Sequence, residues 1–148
     1  KIDNGQFTDT KELELNVLLK QYLQDYEEVY DYRNIEVTID EQGVFKVKMN
    51  ESLAVALLTN LLKNAFVHNI DGGHIRITIT KNGITFRNSG VEHPLDKEHI
   101  FERFYQGSKK EGSTGLGLAI ADSICRLQHL NIKYYFEQNE HCFEISQS

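Results

Sequence analysis

Apolar residues recur along this chain with two different periods, and the changes of period mark its elements. Glu12 to Asn16 alternates briefly, as a short strand does. From Val17 to Tyr30 the apolar positions are Leu18, Leu19, Tyr22, Leu23, Tyr26, Val29 and Tyr30, a spacing that predicts an amphipathic helix. Ile35, Val37 and Ile39 alternate with polar residues, Gly43 supplies a turn, and Val44, Phe45 and Val47 follow, so this stretch predicts a hairpin. Ser52 to Val67 carries the strongest helical stripe, through Ala54, Leu57, Leu58, Leu61, Leu62, Ala65 and Phe66, and Asp71-Gly72-Gly73 stops it. Ile75, Ile77 and Ile79 predict a strand that turns at Asn82-Gly83 and returns through Ile84 and Phe86. Val91 to Glu111 is polar and irregular, with one short helical piece near Lys97 to Phe104. Leu116 to Leu127 is the third long helix, and Ile132 to Phe136 with His141 to Ile145 form a closing hairpin. The elements together predict an α+β fold in two layers, a mixed, mostly antiparallel sheet of about five strands packed on three helices.

Composition narrows this only a little. The 148 residues suit one domain with one core. A net charge of −6 argues against duplex DNA as a partner, because such binders present a basic face. Cys125 and Cys142 lack ligand or framework spacing and read as small buried apolar residues, without a zinc site. No stretch approaches the length of a membrane span. The chain starts at Lys1 without methionine or signal peptide, so a piece of a longer protein is expected.

Candidate chemistry concentrates in two places. Glu111 to Ile120 reads EGSTGLGLAI, a glycine-rich loop running into a helix. Leu118 stands where a Walker loop needs lysine, and Ile120 where a dinucleotide fingerprint needs its third glycine, so neither motif fits. The loop can feed free N–H groups at a helix N-terminus toward an anion, or serve packing alone. The second place is the long helix, where Asn60, Asn64 and His68 fall four apart in one polar row. The row is either solvent-exposed or holds Mg²⁺ through a neutral oxygen, and magnesium needs few protein ligands.

In combination, LLTNLLKNAFVHN (Leu57 to Asn69), FRNSG (Phe86 to Gly90), IFERFY (Ile100 to Tyr105) and GSTGLGLAI (Gly112 to Ile120) resemble the N, G1, F and G2 boxes of the catalytic ATP-binding domain of sensor histidine kinases. The resemblance covers nearly the whole chain. It implies the Bergerat fold of the GHKL ATPases, with ATP and Mg²⁺ as cofactors. Residues 10–148 would be the catalytic domain, with an ATP lid at about 91–111, and residues 1–9 the end of a dimerisation helix and linker. Asn64 would coordinate Mg²⁺, with Asn60 and His68 lining the phosphate region and Asn60 and Asn64 taking the catalytic positions. Asn88 would accept from the adenine amino group and Gly90 would let the base approach. Phe101 and Phe104 would anchor the lid. Gly115, Leu116 and Gly117, flanked by Thr114 and Leu118, would bring N–H groups toward phosphate.

Three positions depart from the family pattern. Asn88 replaces the usual Asp, though an amide oxygen still accepts. Glu92 replaces a lid glycine. Val67 replaces a phosphate-touching lysine. Arg103, Lys109 and Lys110 are the cations available in its stead, although the two lysines read equally well as solvated loop charges. GHKL ATPases have a glutamate at the position of Asn60, and an amide cannot act as base, so hydrolysis is expected to be slow or absent.

None of the six histidines is followed by an acidic residue, so the phosphoacceptor of such kinases is expected on a separate domain. The resemblance thus implies a protein-histidine kinase fragment, monomeric by itself. Its parent would be homodimeric through its own dimerisation and phosphoacceptor domain, and would signal to a response-regulator receiver domain. The fragment would be a cytoplasmic piece of an inner-membrane parent and would contact neither membrane nor nucleic acid. Two other readings stand beside this one: a degenerate nucleotide-holding module acting through protein contacts, and a GHKL-type ATPase or clamp.

Overall fold

The computed structural model describes residues 9–103 and 116–148. Strand β1 (Lys11–Glu14) runs directly into helix α1 (Leu15–Val29), two residues earlier than the periodicity places the helix start. A 3₁₀ turn at Asp31–Arg33 leads to β2 (Glu36–Glu41), followed by β3 (Lys46–Met49) and α2 (Glu51–Val67). Then come β4 (His74–Thr80), β5 (Gly83–Asn88), α3 (Gly117–Leu127), β6 (Leu130–Glu137) and β7 (Glu140–Gln147).

The main sheet has five strands in the order β2-β4-β5-β7-β6. Every pair in it is antiparallel except β2 with β4, which run parallel with Val37 opposite Ile75 and Ile39 opposite Ile77. Ile75, Ile77 and Ile79 of β4, Ile84 and Phe86 of β5, and Phe143 and Ile145 of β7 are buried in one cluster with Leu57, Leu58, Leu61 and Leu62 of α2 and Ile124 of α3. Alternation along the strands thus sends one sheet face to the helices. The expected two-layer fold is the one observed. No helix among the described residues is long and apolar enough to cross a membrane.

The hairpin expected over Ile35 to Val47 does not form. β2 joins the edge of the main sheet, and β3 pairs with β1 in a separate two-stranded sheet. The diversion has a cause in Asn16, which is buried at the start of α1. Its Oδ1 accepts from Phe45 N (2.9 Å), and its Nδ2 donates to the Gly43 carbonyl (2.8 Å) and to Glu41 (2.6 Å). Leu15 N also bonds Phe45 O at 3.0 Å. The chain from Gly43 to Phe45 therefore satisfies the open end of α1 instead of folding back on β2.

Two turns differ from expectation in smaller ways. The β4–β5 loop is Lys81-Asn82, with Gly83 already paired to Thr80. The β6–β7 loop is Gln138-Asn139, with both residues at positive φ (52° and 60°), the geometry that tight hairpins prefer. Of the helical piece predicted over Lys97 to Phe104, the described part forms turns, closed by His99 N to Asp96 O and Glu102 N to His99 O.

Both cysteines are buried and unpaired, as expected. Burial pushes the Cys125 thiol up to about 12 and the Cys142 thiol up to about 11.

Candidate functional site

Asn60, Asn64 and His68 lie half-buried along one side of α2, a row about 12 Å long at 1.5 Å rise per residue. The row joins two other parts of the chain. At its first end, a Cβ on Gly117 would stand 3.1 Å from Asn60 Oδ1. At its far end, a Cβ on Gly90 would stand 2.9 Å from the His68 carbonyl oxygen. Glycine at both places lets the backbone come close to α2, a packing reason that holds before any ligand is considered. Asn60 donates from Nδ2 to Ala56 O (2.7 Å), which leaves its Oδ1 toward Gly117. Among the described residues no hydrogen bond engages the side-chain amide of Asn64.

Helix α3 opens at this row. Its N-cap position, Leu116, supplies no side-chain cap, and its first turn carries no acid. The first helical bond is Ile120 N to Leu116 O at 2.9 Å, so the N–H groups of residues 117–119 lack acceptors inside the helix. Those donors and the helix dipole favour an anion. Leu118 packs against the hydrophobic core.

Asn88 ends β5 on the helix-facing side, two residues on from Phe86, and is buried. Its Nδ2 donates to the Ser89 carbonyl at 2.8 Å. Its Oδ1 has no partner, and it is the one buried side-chain oxygen or nitrogen among the described residues in that condition. A buried acceptor without a donor is costly, so its presence calls for an explanation. A ligand N–H would supply the missing donor.

The backbone beside Asn88 is held by residues that sequence reasoning did not single out. Ser89 Oγ donates to Asn69 Oδ1 (2.6 Å) and accepts from His74 N (2.9 Å). The buried Asn69 donates from Nδ2 to Ala65 O (3.1 Å) and His74 O (3.0 Å). Gly73 sits against both: a Cβ there would fall 2.2 Å from Asn69 Oδ1 and 2.4 Å from Ser89 Oγ. Arg33 closes the same end of α2, bonding the carbonyls of Phe66 and Asn69 and the Asp71 carboxylate. Its cation also opposes the negative end of the helix dipole. Asn69 and Ser89 stand inside the quoted LLTNLLKNAFVHN and FRNSG stretches, whereas nothing in the sequence around Arg33 points to α2.

Beyond Gly90 the chain stays on the sheet as far as it is described. Ile100 is buried, and Phe101 meets Phe143 edge-on, ring centroids 6.3 Å apart. Arg103 is exposed. Glu92 is exposed and accepts from Asn139 at 3.3 Å. Val67 is buried and turned into the protein. Phe104, Lys109, Lys110, Thr114 and Gly115 lie outside the described residues.

The sequence profile of the family described as histidine kinase-, DNA gyrase B-, and HSP90-like ATPase matches residues 49–146, the span that contains α2, the β5 exit and α3. The chain belongs to this ATPase family. Within it, the chain is 37% identical over 120 residues to the sensor histidine kinase RppB of Synechocystis, covering 74% of this chain and 26% of RppB. It is 30% identical over 145 residues to the heme sensor protein HssS of Staphylococcus saprophyticus, covering 94% of this chain and 31% of HssS. The chain thus spans roughly a third or less of these curated relatives.

Among solved structures it resembles the nucleotide-free catalytic domain of the histidine kinase ThkA, with a TM-score of 0.81 and 26% identity over 93% of this chain and 94% of that one. It also resembles ThkA in a complex with the response regulator TrrA, with a TM-score of 0.75 and 26% identity over 94% of this chain and 42% of that one. The relatives are sensor histidine kinases, and membership of the ATPase family implies ATP binding.

Proposed function

We propose that this chain is the catalytic domain of a sensor histidine kinase, binding ATP with Mg²⁺ and passing the γ-phosphoryl group to a histidine on a separate acceptor domain. The orphaned Oδ1 of Asn88 carries this reading, because it is a buried acceptor that an adenine amino group would satisfy. The phosphate end would lie toward α3, whose uncapped N–H groups favour negative charge. Asn64 would supply one neutral oxygen to Mg²⁺, and the ion when bound would neutralise charge on the phosphates.

In the transfer, a P–N bond forms at the acceptor imidazole, the bond between the γ-phosphorus and its bridging oxygen breaks, and ADP leaves. The chain's own part is orientation and charge stabilisation. Asn60 offers an amide where hydrolysis of ATP by water would need a base, and its Nδ2 is committed to Ala56, so transfer is favoured over hydrolysis. The parent would be a homodimeric, membrane-attached sensor with this domain in the cytoplasm, and its product would feed a response-regulator receiver domain. The 91–111 segment would act as the lid, and residues 1–9 as the end of the dimerising helix.

The buried Val67, which leaves no cation at that point of α2, favours a second reading: a module that holds nucleotide without transferring phosphate. The deciding experiment is calorimetric titration of ATP with and without Mg²⁺ on the unaltered chain, Asn64→Ala and Asn88→Ala, followed by supply of a separate acceptor domain. Mg²⁺-dependent binding weakened by both substitutions, with phosphate appearing on the acceptor histidine, supports the kinase. Binding without transfer supports the module, and absence of binding defeats both.

A further inference from the structure

His141 is buried on β7 directly across from Asn88, the last pair of the β5–β7 ladder. Its Nε2 lies 2.7 Å from the Val91 carbonyl oxygen, and its Nδ1 lies 2.7 Å from the Tyr134 hydroxyl of β6. The same hydroxyl accepts from Leu95 N at 3.0 Å. A carbonyl only accepts, so Nε2 carries the hydrogen, and a neutral ring then leaves Nδ1 to accept from Tyr134. The bonds therefore run in one order: Leu95 N–H to Tyr134, Tyr134 O–H to His141, and His141 Nε2–H to Val91. The imidazole also walls off Gly90, where a Cβ would stand 3.1 Å from Cδ2. Phe136 packs on its side with centroids 4.8 Å apart.

We propose that Tyr134 and His141 are positioning residues for the nucleotide site, holding the β5 exit so that the Asn88 acceptor stays buried and unsatisfied until a ligand arrives. The inference rests on the nucleotide reading above. Its physical basis is that an orphaned buried acceptor is unfavourable and is relieved by any movement that admits water. Ser89 is fixed by Asn69 on one side of Asn88 and Gly90, and Val91 and Leu95 are fixed by His141 and Tyr134 on the other. Loosening the second hold lets the exit relax and hydrates the acceptor, so ligand must displace water to reach it.

Protonation of His141 loosens it. A hydrogen on Nδ1 faces a hydroxyl that already accepts from Leu95, so the Tyr134 O–H must give up its donation to the ring and reorient. Burial holds the basicity of His141 below the usual histidine value, and nearby His93 adds to this, against the Val91 carbonyl, which favours the charged ring. Among the described residues, the titratable groups facing the ring are the Tyr134 hydroxyl from β6 and His93 from the segment after β5. β5 presents the neutral Asn88, and α2 ends with the His68 carbonyl toward Gly90.

The test is calorimetric titration of ADP in Mg²⁺ buffer between pH 5.5 and 8 on the unaltered chain, Tyr134→Phe and His141→Gln, with melting curves to show that each is folded. Tyr134→Phe keeps the ring and removes one hydroxyl, and is expected to weaken ADP about fivefold at pH 7.5. The ratio of ADP affinities between the unaltered chain and His141→Gln is expected to fall toward the acid end of that range. The phosphate ionisation of ADP is common to both proteins and cancels in that ratio. Folded variants that bind ADP within about twofold of the unaltered chain and keep the ratio constant with pH, even if they melt earlier, would overturn the positioning role. Failure of the unaltered chain to bind ADP would instead overturn the nucleotide reading itself.

Discussion

Asn88→Asp would install the residue that the kinase pattern usually has at this position, and the structure leads us to expect a loss, not a gain. Asn88 Nδ2 donates to the Ser89 carbonyl at 2.8 Å. A carboxylate would place an oxygen there instead, facing another oxygen, and its second oxygen would inherit the position that already lacks a donor. The lost hydrogen bond costs about 1 kcal/mol, and burying the extra acceptor brings the total to about 2–4 kcal/mol at pH 7. Such a carboxyl is driven toward its protonated form in the folded state, so its pKa rises above the unfolded value near 3.9. The folded state then binds more protons than the unfolded state as pH rises through that range. The deficit is therefore small at pH 4, grows with pH, and levels off once the folded carboxyl ionises. Urea unfolding of the unaltered chain and the variant at pH 4, 5.5 and 7 measures this directly. Equal midpoints at all three values would mean that Ser89 is not the partner of the amide and that Oδ1 is not the open acceptor.

Other expectations follow from the same reading of charge and packing. The Arg76 guanidinium beside Glu140, helped by His74, holds the Glu140 carboxyl at about 2 instead of 4.5. That preference is worth roughly 3 kcal/mol at most, and about 1–2 with Arg76 half-exposed. Its stabilisation is present above pH 4.5 and lost as pH falls toward 2, so in acid titrations Glu140→Gln should be less stable at neutral pH and nearly flat between those values. Gly83→Ala would bring a Cβ 2.2 Å from the Ile145 carbonyl oxygen at the start of the central strand β5, and a loss of about 2–4 kcal/mol is expected in denaturant melts. Arg33→Met should cost about 1–3 kcal/mol, because it removes the charged donor from the Phe66 and Asn69 carbonyls at the end of α2, and circular dichroism melts would show it. In the native state both cysteines should react with a thiol reagent only as fast as the protein opens, given thiols held near 11 and 12.

Elements whose partners are local were readable from the chain. α2 follows from its unbroken stripe, and β4–β5 from alternation around a short turn, because periodicity and a tight loop leave one solution. The stretch from Ile35 to Val47 carries the same kind of signal, yet its partners are chosen by Asn16 and by β4, far away in sequence. Periodicity has no record of such choices. The site divides in the same way. Asn60, Asn64 and His68 announce themselves by spacing on one helix, and the structure sets α3 and the β5 exit against that row. Arg33, Asn69, Tyr134 and His141 act through side-chain bonds to residues brought near by the fold, and a single polar residue in a strand or turn does not reveal which distant carbonyl it will meet.

The bond between Leu95 N–H and Tyr134 has a bearing on cooperativity. With Val91 tied to His141, Leu95 to Tyr134 and Ile100 buried in the core, the stretch that follows β5 is fastened to the domain at these three points. In hydrogen exchange the Leu95 amide should open with the strands at close to the global unfolding free energy, as part of one foldon with β6 and β7. A stretch that looks like loop from its composition is thus pinned to the framework at two of its residues, and a lid movement that includes them would have to break those bonds.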